Sequence, residues 1–132
     1  MNVVEIADSK EFEKSIYHFR SDGIVVVEIK DNAYLELEDA LKQEEYLKSE
    51  KSSYLPLKLM VIAGEGASVS KEVRDFANNP DSTARIYAEA IVVKSFAQRV
   101  IANVLRSFYK APMPVKVFED QESAIKWLLN FE

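Results

Sequence analysis

Two early stretches of the chain, residues 12–20 and 24–30, are rich in β-branched and aromatic side chains. Ser21-Asp22-Gly23 between them supplies a glycine that tolerates positive φ in a three-residue loop, so the pattern predicts an opening β-hairpin. Asp31-Asn32 breaks the second strand. Leu37, Ala40, Leu41 and Leu47 then recur at helical spacing, with Glu38/Lys42 and Glu44/Lys48 as (i, i+4) pairs, which predicts a surface helix over about residues 35–49. Ser52-Ser53-Tyr54-Leu55-Pro56 is turn-like. Leu57 to Ala63 is a nearly continuous apolar run of strand length, the pattern of a strand covered on both faces.

Gly64-Glu65-Gly66-Ala67 leads into Val69, Val73, Phe76 and Ala77, a short helix capped by Ser68 or Ser70 and stopped by Asn79-Pro80. Arg85 to Val93 reads as a strand, although alanine and glutamate in its first half also suit a helix. Ser95 and Gln98 have capping-box spacing ahead of Ala97, Val100, Ile101, Val104, Leu105 and Phe108, a helix with a buried apolar stripe. Pro112 and Pro114 end it. Val115 to Phe118 forms a last short strand, and Asp120 caps a terminal helix carrying Ala124, Ile125, Trp127 and Leu128, with Phe108, Trp127 and Leu128 expected to bury the C-terminal helices. The order β-β-α-β-α-β-α-β-α predicts an α/β domain over residues 1–132, with a mixed sheet that is parallel apart from its opening hairpin.

Chemistry narrows the functions. The chain has no cysteine and a single histidine, His18, so disulfide frameworks, thiolate nucleophiles and multi-histidine metal sites are excluded. No cofactor or metal is expected. A net charge of −5 is the wrong sign for a generic nucleic-acid binder, the N-terminus has no signal-like pattern, and apolar runs are too short to span a bilayer. A cytoplasmic, non-transmembrane protein is expected. Gly64-Glu65-Gly66 is not a dinucleotide fingerprint, because Val69 stands where the third glycine belongs, and the chain holds no phosphate-loop triplet or nucleophile elbow.

A loop entering a helix N-terminus still offers free N–H groups to an anion or a phosphoserine, which makes Gly64, Gly66, Ser68 and Ser70 the candidate ligand or modification loop; the plainer alternative is that a serine merely caps the helix. His18 is a candidate general base or a structural histidine. Glu36/Glu38 and Glu44/Glu45 suit acid–base work or a solvated helix face. Ala90 to Phe118 carries +5 and no acidic residue, against −10 for the remainder. Lys94, Arg99, Arg106 and Lys110 therefore form a candidate surface for an acidic partner, unless they balance acidic neighbours within the fold.

The hairpin Ile16 to Ile29, the strand-to-helix segment Leu57 to Phe76, the run Ala88 to Ser95 leading into Arg99, and the ending Pro114 to Asp120 with Ala124 and Trp127-Leu128 together resemble the SpoIIAA-like branch of the STAS superfamily, especially its STAS/SEC14 domain proteins. The resemblance spans most of the chain. In the anti-sigma-factor antagonists of that family, a serine in an Asp-Ser-x-Gly motif is phosphorylated and switches partner binding. The equivalent loop here reads Gly64-Glu65-Gly66-Ala67-Ser68-Val69-Ser70 and shares that position without the motif. The resemblance implies a non-catalytic regulatory or protein-interaction module with a protein partner, and a homodimer is compatible with it. The alternatives are a Sec14-like carrier of a small hydrophobic ligand and, third, a hydrolase using Ser68 or Ser70 with His18.

Overall fold

The computed structural model describes residues 5–99 and 113–131. Its frame is a six-stranded sheet built from β1 (Ile6–Glu11), β2 (Ser15–Arg20), β3 (Ile24–Ile29), β5 (Leu57–Ile62), β7 (Ile86–Val92) and β8 (Val115–Phe118), in that spatial order. β1, β2 and β3 are antiparallel neighbours, whereas β3, β5, β7 and β8 run parallel. The mixed α/β class is as expected. β1 is an addition: every one of its side chains is exposed, so it has no apolar alternation to betray it, and it joins as an edge strand through its backbone.

Between β3 and β5 lie β4 (Tyr34–Leu35), α1 (Leu37–Glu50) and a 3-10 turn (Ser52–Tyr54). Between β5 and β7 lie β6 (Ser68–Val69), α2 (Lys71–Ala77) and α3 (Pro80–Thr83). Asn79-Pro80 was expected to stop a helix. It also starts one, because Asn79 accepts the Asp81 N–H as an N-cap and proline fits the first helical position, where no N–H is needed. A fourth helix, α4, opens at residues 96–99, and α5 (Gln121–Leu129) closes the chain, with Asp120 accepting the Ser123 N–H.

Alternation along β3 sends Val25 and Val27 to one face and Ile24 and Val26 to the other. On the first face Tyr17, Phe19, Leu57 and Leu59 pack under Leu47, Tyr46 and Tyr54. Edge-on rings of Phe12 against Tyr17 and Tyr46 extend this core towards the β1 side. On the second face Met60, Ile62, Ala88, Ala90 and Val92 are covered by Ala124 and Leu128 of α5. The small Ala88 and Ala90 leave room for that helix to lie close to the sheet. Trp127 departs from the expected full burial: it is half-buried, wedged between the rings of Phe118 and Phe131, while Leu128 one residue on is sealed. Phe108 lies outside the described residues.

Candidate functional site

Parallel strands β3, β5 and β7 deliver three loops to one end of the sheet, and hydrogen bonds join those loops. The Asn32 N–H donates to the Glu65 carbonyl at 2.8 Å, and the Glu65 N–H donates to Asp31 Oδ1 at 2.9 Å. Next, β4 and β6 pair in parallel, Tyr34 beside Ser68 and Leu35 beside Val69, with Ser68 N–H on the Ala33 carbonyl and Ser70 N–H on the Leu35 carbonyl, both at 2.9 Å. Gln98, in the first turn of α4, donates from Nε2 to the Gly64 carbonyl at 3.0 Å and accepts the Lys94 N–H at 2.8 Å. Its N–H in turn donates to Ser95 Oγ, so Ser95 and Gln98 form the expected helix start with the side chain of Gln98 reaching one residue further back.

The two glycines of the candidate loop are explained by this joining. A Cβ on Gly64 would fall within 2.5 Å of the Lys30 carbonyl group, and Gly66 has φ +73° with Asn32 Oδ1 2.5 Å from where its Cβ would stand. The close approach they permit is to this chain's own β3–β4 segment. Ser70 is 5% exposed and accepts the Val73 N–H at 3.2 Å, so its hydroxyl is the N-cap of the seven-residue α2. Ser68 is exposed on β6.

Four apolar side chains stand in solvent at or beside this end: Phe96 is 79% and Tyr34 50% exposed, with Leu37 and Leu41 one helical turn apart on α1. Isolated exposed leucines are ordinary, but two exposed aromatics, one on β4 and one opening α4, with two leucines on the helix that follows β4, give this end an apolar rim. Sequence reasoning placed Leu37 and Leu41 on a helix and left Tyr34 and Phe96 without a role.

Of the basic candidates, Lys94 is exposed at the same end, and Arg99 forms an ion pair with Glu119 next to β8. Arg106 and Lys110 lie outside the described residues. Among the paired carboxylates, Glu38 and Glu44 each hold a lysine four residues on, at 3.2 and 2.8 Å, and Glu44 also meets Arg85 at 3.2 Å. Among the described residues no three His, Cys, Asp or Glu side chains converge as a metal site.

His18 goes elsewhere. It lies on β2, on the sheet face shared with Val26 and α5 but nearer the β1 edge, where Nδ1 meets Ser9 Oγ at 2.9 Å and Nε2 meets Glu28 Oε2 at 2.7 Å. The hairpin turn contained part of this: a loop over 21–23 sets residue 18 opposite 26 and brings 18 and 28 to one face. Ser9 was hidden with the rest of β1. On the opposite face, burial pushes the Glu89 carboxyl up to about 7 from an ordinary 4.5.

No curated protein matches the chain. Among solved structures it is similar to an uncharacterised protein from Shewanella loihica PV-4, of the DUF3478 family and with a SpoIIAA-like fold, at TM-score 0.59 and 16% identity over 97% of each chain. That similarity establishes a SpoIIAA-like fold, and no helix among the described residues is long and apolar enough to cross a membrane. A family model for a domain of unknown function matches residues 17–132, and the chain belongs to that family, DUF7793.

Proposed function

We propose that this chain is a non-catalytic interaction module whose contact surface is the end of the sheet where the β3, β5 and β7 loops meet. The observation that carries the reading is the exposed apolar rim of Tyr34, Leu37, Leu41 and Phe96 at the end where the β5 loop is hydrogen-bonded to the β3 loop on one side and to Gln98 on the other. Aromatic side chains on a fixed frame give much contact area for little ordering entropy, which suits a protein partner. Lys94 adds a positive charge beside Phe96 for an acidic group on that partner. Ser68, exposed on β6 beside the same rim, is the accessible hydroxyl for a charge-adding modification, and about −1.5 to −2 charges there would alter what the rim binds.

The test is capture of partners from the native cell by crosslinking, with the wild-type chain beside a Tyr34→Ser/Phe96→Ser variant of equal thermal stability. A partner held by the wild type and lost by the variant is the expected result. Identical partner sets would overturn the reading, and mass spectrometry of the same wild-type samples shows whether Ser68 carries phosphate.

A second reading, a carrier of a small hydrophobic molecule, is favoured by one observation at the opposite end of the sheet. There Pro56, Pro80, Ala84, Ile86, Tyr87 and Met113 line a groove of about 530 Å3. Native mass spectrometry of the purified protein would show a retained ligand if the groove is its site.

A further inference from the structure

The Ser9–His18–Glu28 chain shares no residue with the surface proposed for partner binding and has a chemistry of its own. Three adjacent antiparallel strands each supply one member: β1 gives Ser9, β2 gives His18 directly opposite it, and β3 gives Glu28 on the same face. A carboxylate only accepts hydrogen bonds, so the Glu28 contact at 2.7 Å puts the imidazole proton on Nε2. Nδ1 is left with its lone pair towards the Ser9 hydroxyl at 2.9 Å, the arrangement in which an imidazole takes a proton from a nucleophilic oxygen. The surroundings keep the relay from being diverted: Glu11 is engaged by Lys30 at 2.8 Å, and Arg20 by Asp22 at 2.7 Å. Side-chain exposure is 21% for His18 and 47% for Glu28, so the base is partly shielded, while Ser9 itself is exposed to an incoming reagent.

We propose that Ser9 is a nucleophile activated by His18, with Glu28 as the positioning residue, and that it accepts acyl groups from small activated esters. Ser9 Oγ forms a bond to the ester carbonyl carbon, and its proton moves to His18 Nδ1. The carbonyl carbon's bond to the leaving oxygen breaks, and the leaving group departs as the alcohol with that proton, leaving an acyl ester on Ser9. Glu28 stabilises the transient imidazolium through Nε2. The Ser9 N–H is already bonded to Asp8 Oδ1 at 2.8 Å, so it is not offered to a developing oxyanion. The reaction is therefore a stoichiometric acylation with slow release.

The experiment treats the full chain with p-nitrophenyl acetate, follows p-nitrophenolate, and maps the acetyl group by peptide mass spectrometry. In the wild type, Ser9 is expected to be acetylated about 100-fold faster than the exposed Ser21, Ser52 and Ser53, a comparison that needs no variant. Ser9→Ala removes the burst of p-nitrophenolate, and His18→Gln slows Ser9 acetylation to the rate of the other serines. Glu28→Gln slows it at an unchanged melting temperature, and Glu28→Asp restores part of the rate, which a purely structural carboxylate would not do. Acetyl spread evenly over the exposed serines, or Ser9 labelling indifferent to His18→Gln, overturns the proposal. Neither result bears on the partner surface, which shares no residue with this site.

Discussion

The Tyr17 hydroxyl donates to Gln43 Oε1 at 2.6 Å, joining β2 to α1 through two side chains that are each under a tenth exposed. Burial first, and the nearby Glu89 second, push the Tyr17 phenol well above its ordinary value, so the proton stays on the tyrosine and the bond persists across neutral pH. Tyr17→Phe keeps the ring in the aromatic core but strands the Gln43 carbonyl. A loss of about 1–3 kcal/mol in urea unfolding is expected. Adding Gln43→Leu should recover part of it, because the orphaned acceptor is then gone; no recovery would show that the phenol matters for some other contact.

Gly64→Ala should be costly although the change is one methyl group. Its Cβ would run into the Ile29 and Lys30 carbonyls, which are main-chain atoms and cannot swing aside. A loss of about 1–3 kcal/mol is expected, read as a lower urea midpoint at an unchanged slope. A neutral substitution would mean that the β5–β6 loop does not sit against β3.

At the C-terminus, Leu128→Ala should cost about 2–5 kcal/mol, because Leu128 is sealed between α5 and the sheet. Trp127→Ala loses ring contacts to Phe118 and Phe131, but part of the indole already faces water. The tryptophan variant is therefore expected to be the less damaged of the two in thermal unfolding. The reverse order would place Trp127 deeper than Leu128.

What could be read from the chain follows from where its side chains go. Strands β2, β3, β5 and β7 bury at least one face, so apolar spacing revealed them, and Gly23 with φ +90° closes the hairpin at the expected turn. β1 buries no side chain, and β4 and β6 have two residues each, so their pairing is backbone chemistry without a pattern to detect. The loop Gly64 to Ser70 was recognised from its glycines, yet what those glycines approach was not, since Asp31-Asn32 lies more than thirty residues earlier in the chain. Ser9 stands only nine residues from His18, but β1 carries no apolar pattern to reveal their pairing, whereas His18 and Glu28 share a hairpin whose turn sets their relation.

The two serines of that loop should separate cleanly. Ser70→Ala removes the oxygen that accepts the Val73 N–H and is expected to cost about 0.5–2 kcal/mol. Ser68→Ala, on an exposed two-residue strand whose backbone bonds are kept, should change the melting temperature little. Equal losses at both positions would mean that Ser68 has a structural bond comparable to the Ser70 cap.

Glu89 makes stability depend on pH in a direction opposite to that of most carboxylates. Its folded-state value of about 7 lies above the ordinary 4.5, and burial is the cause. The native state therefore holds the proton more tightly than the unfolded chain between those two values, so stability falls as pH rises through that window. Below pH 4.5 both states are protonated and the contribution is fully present; above about 7 both are ionised and it is lost. Glu89→Gln keeps an uncharged side chain of the same size at every pH. The variant should match the wild type near pH 4.5 and melt at a higher temperature near pH 8. Parallel melting curves for the two proteins across that range would show that the Glu89 carboxyl ionises as freely in the folded chain as in water.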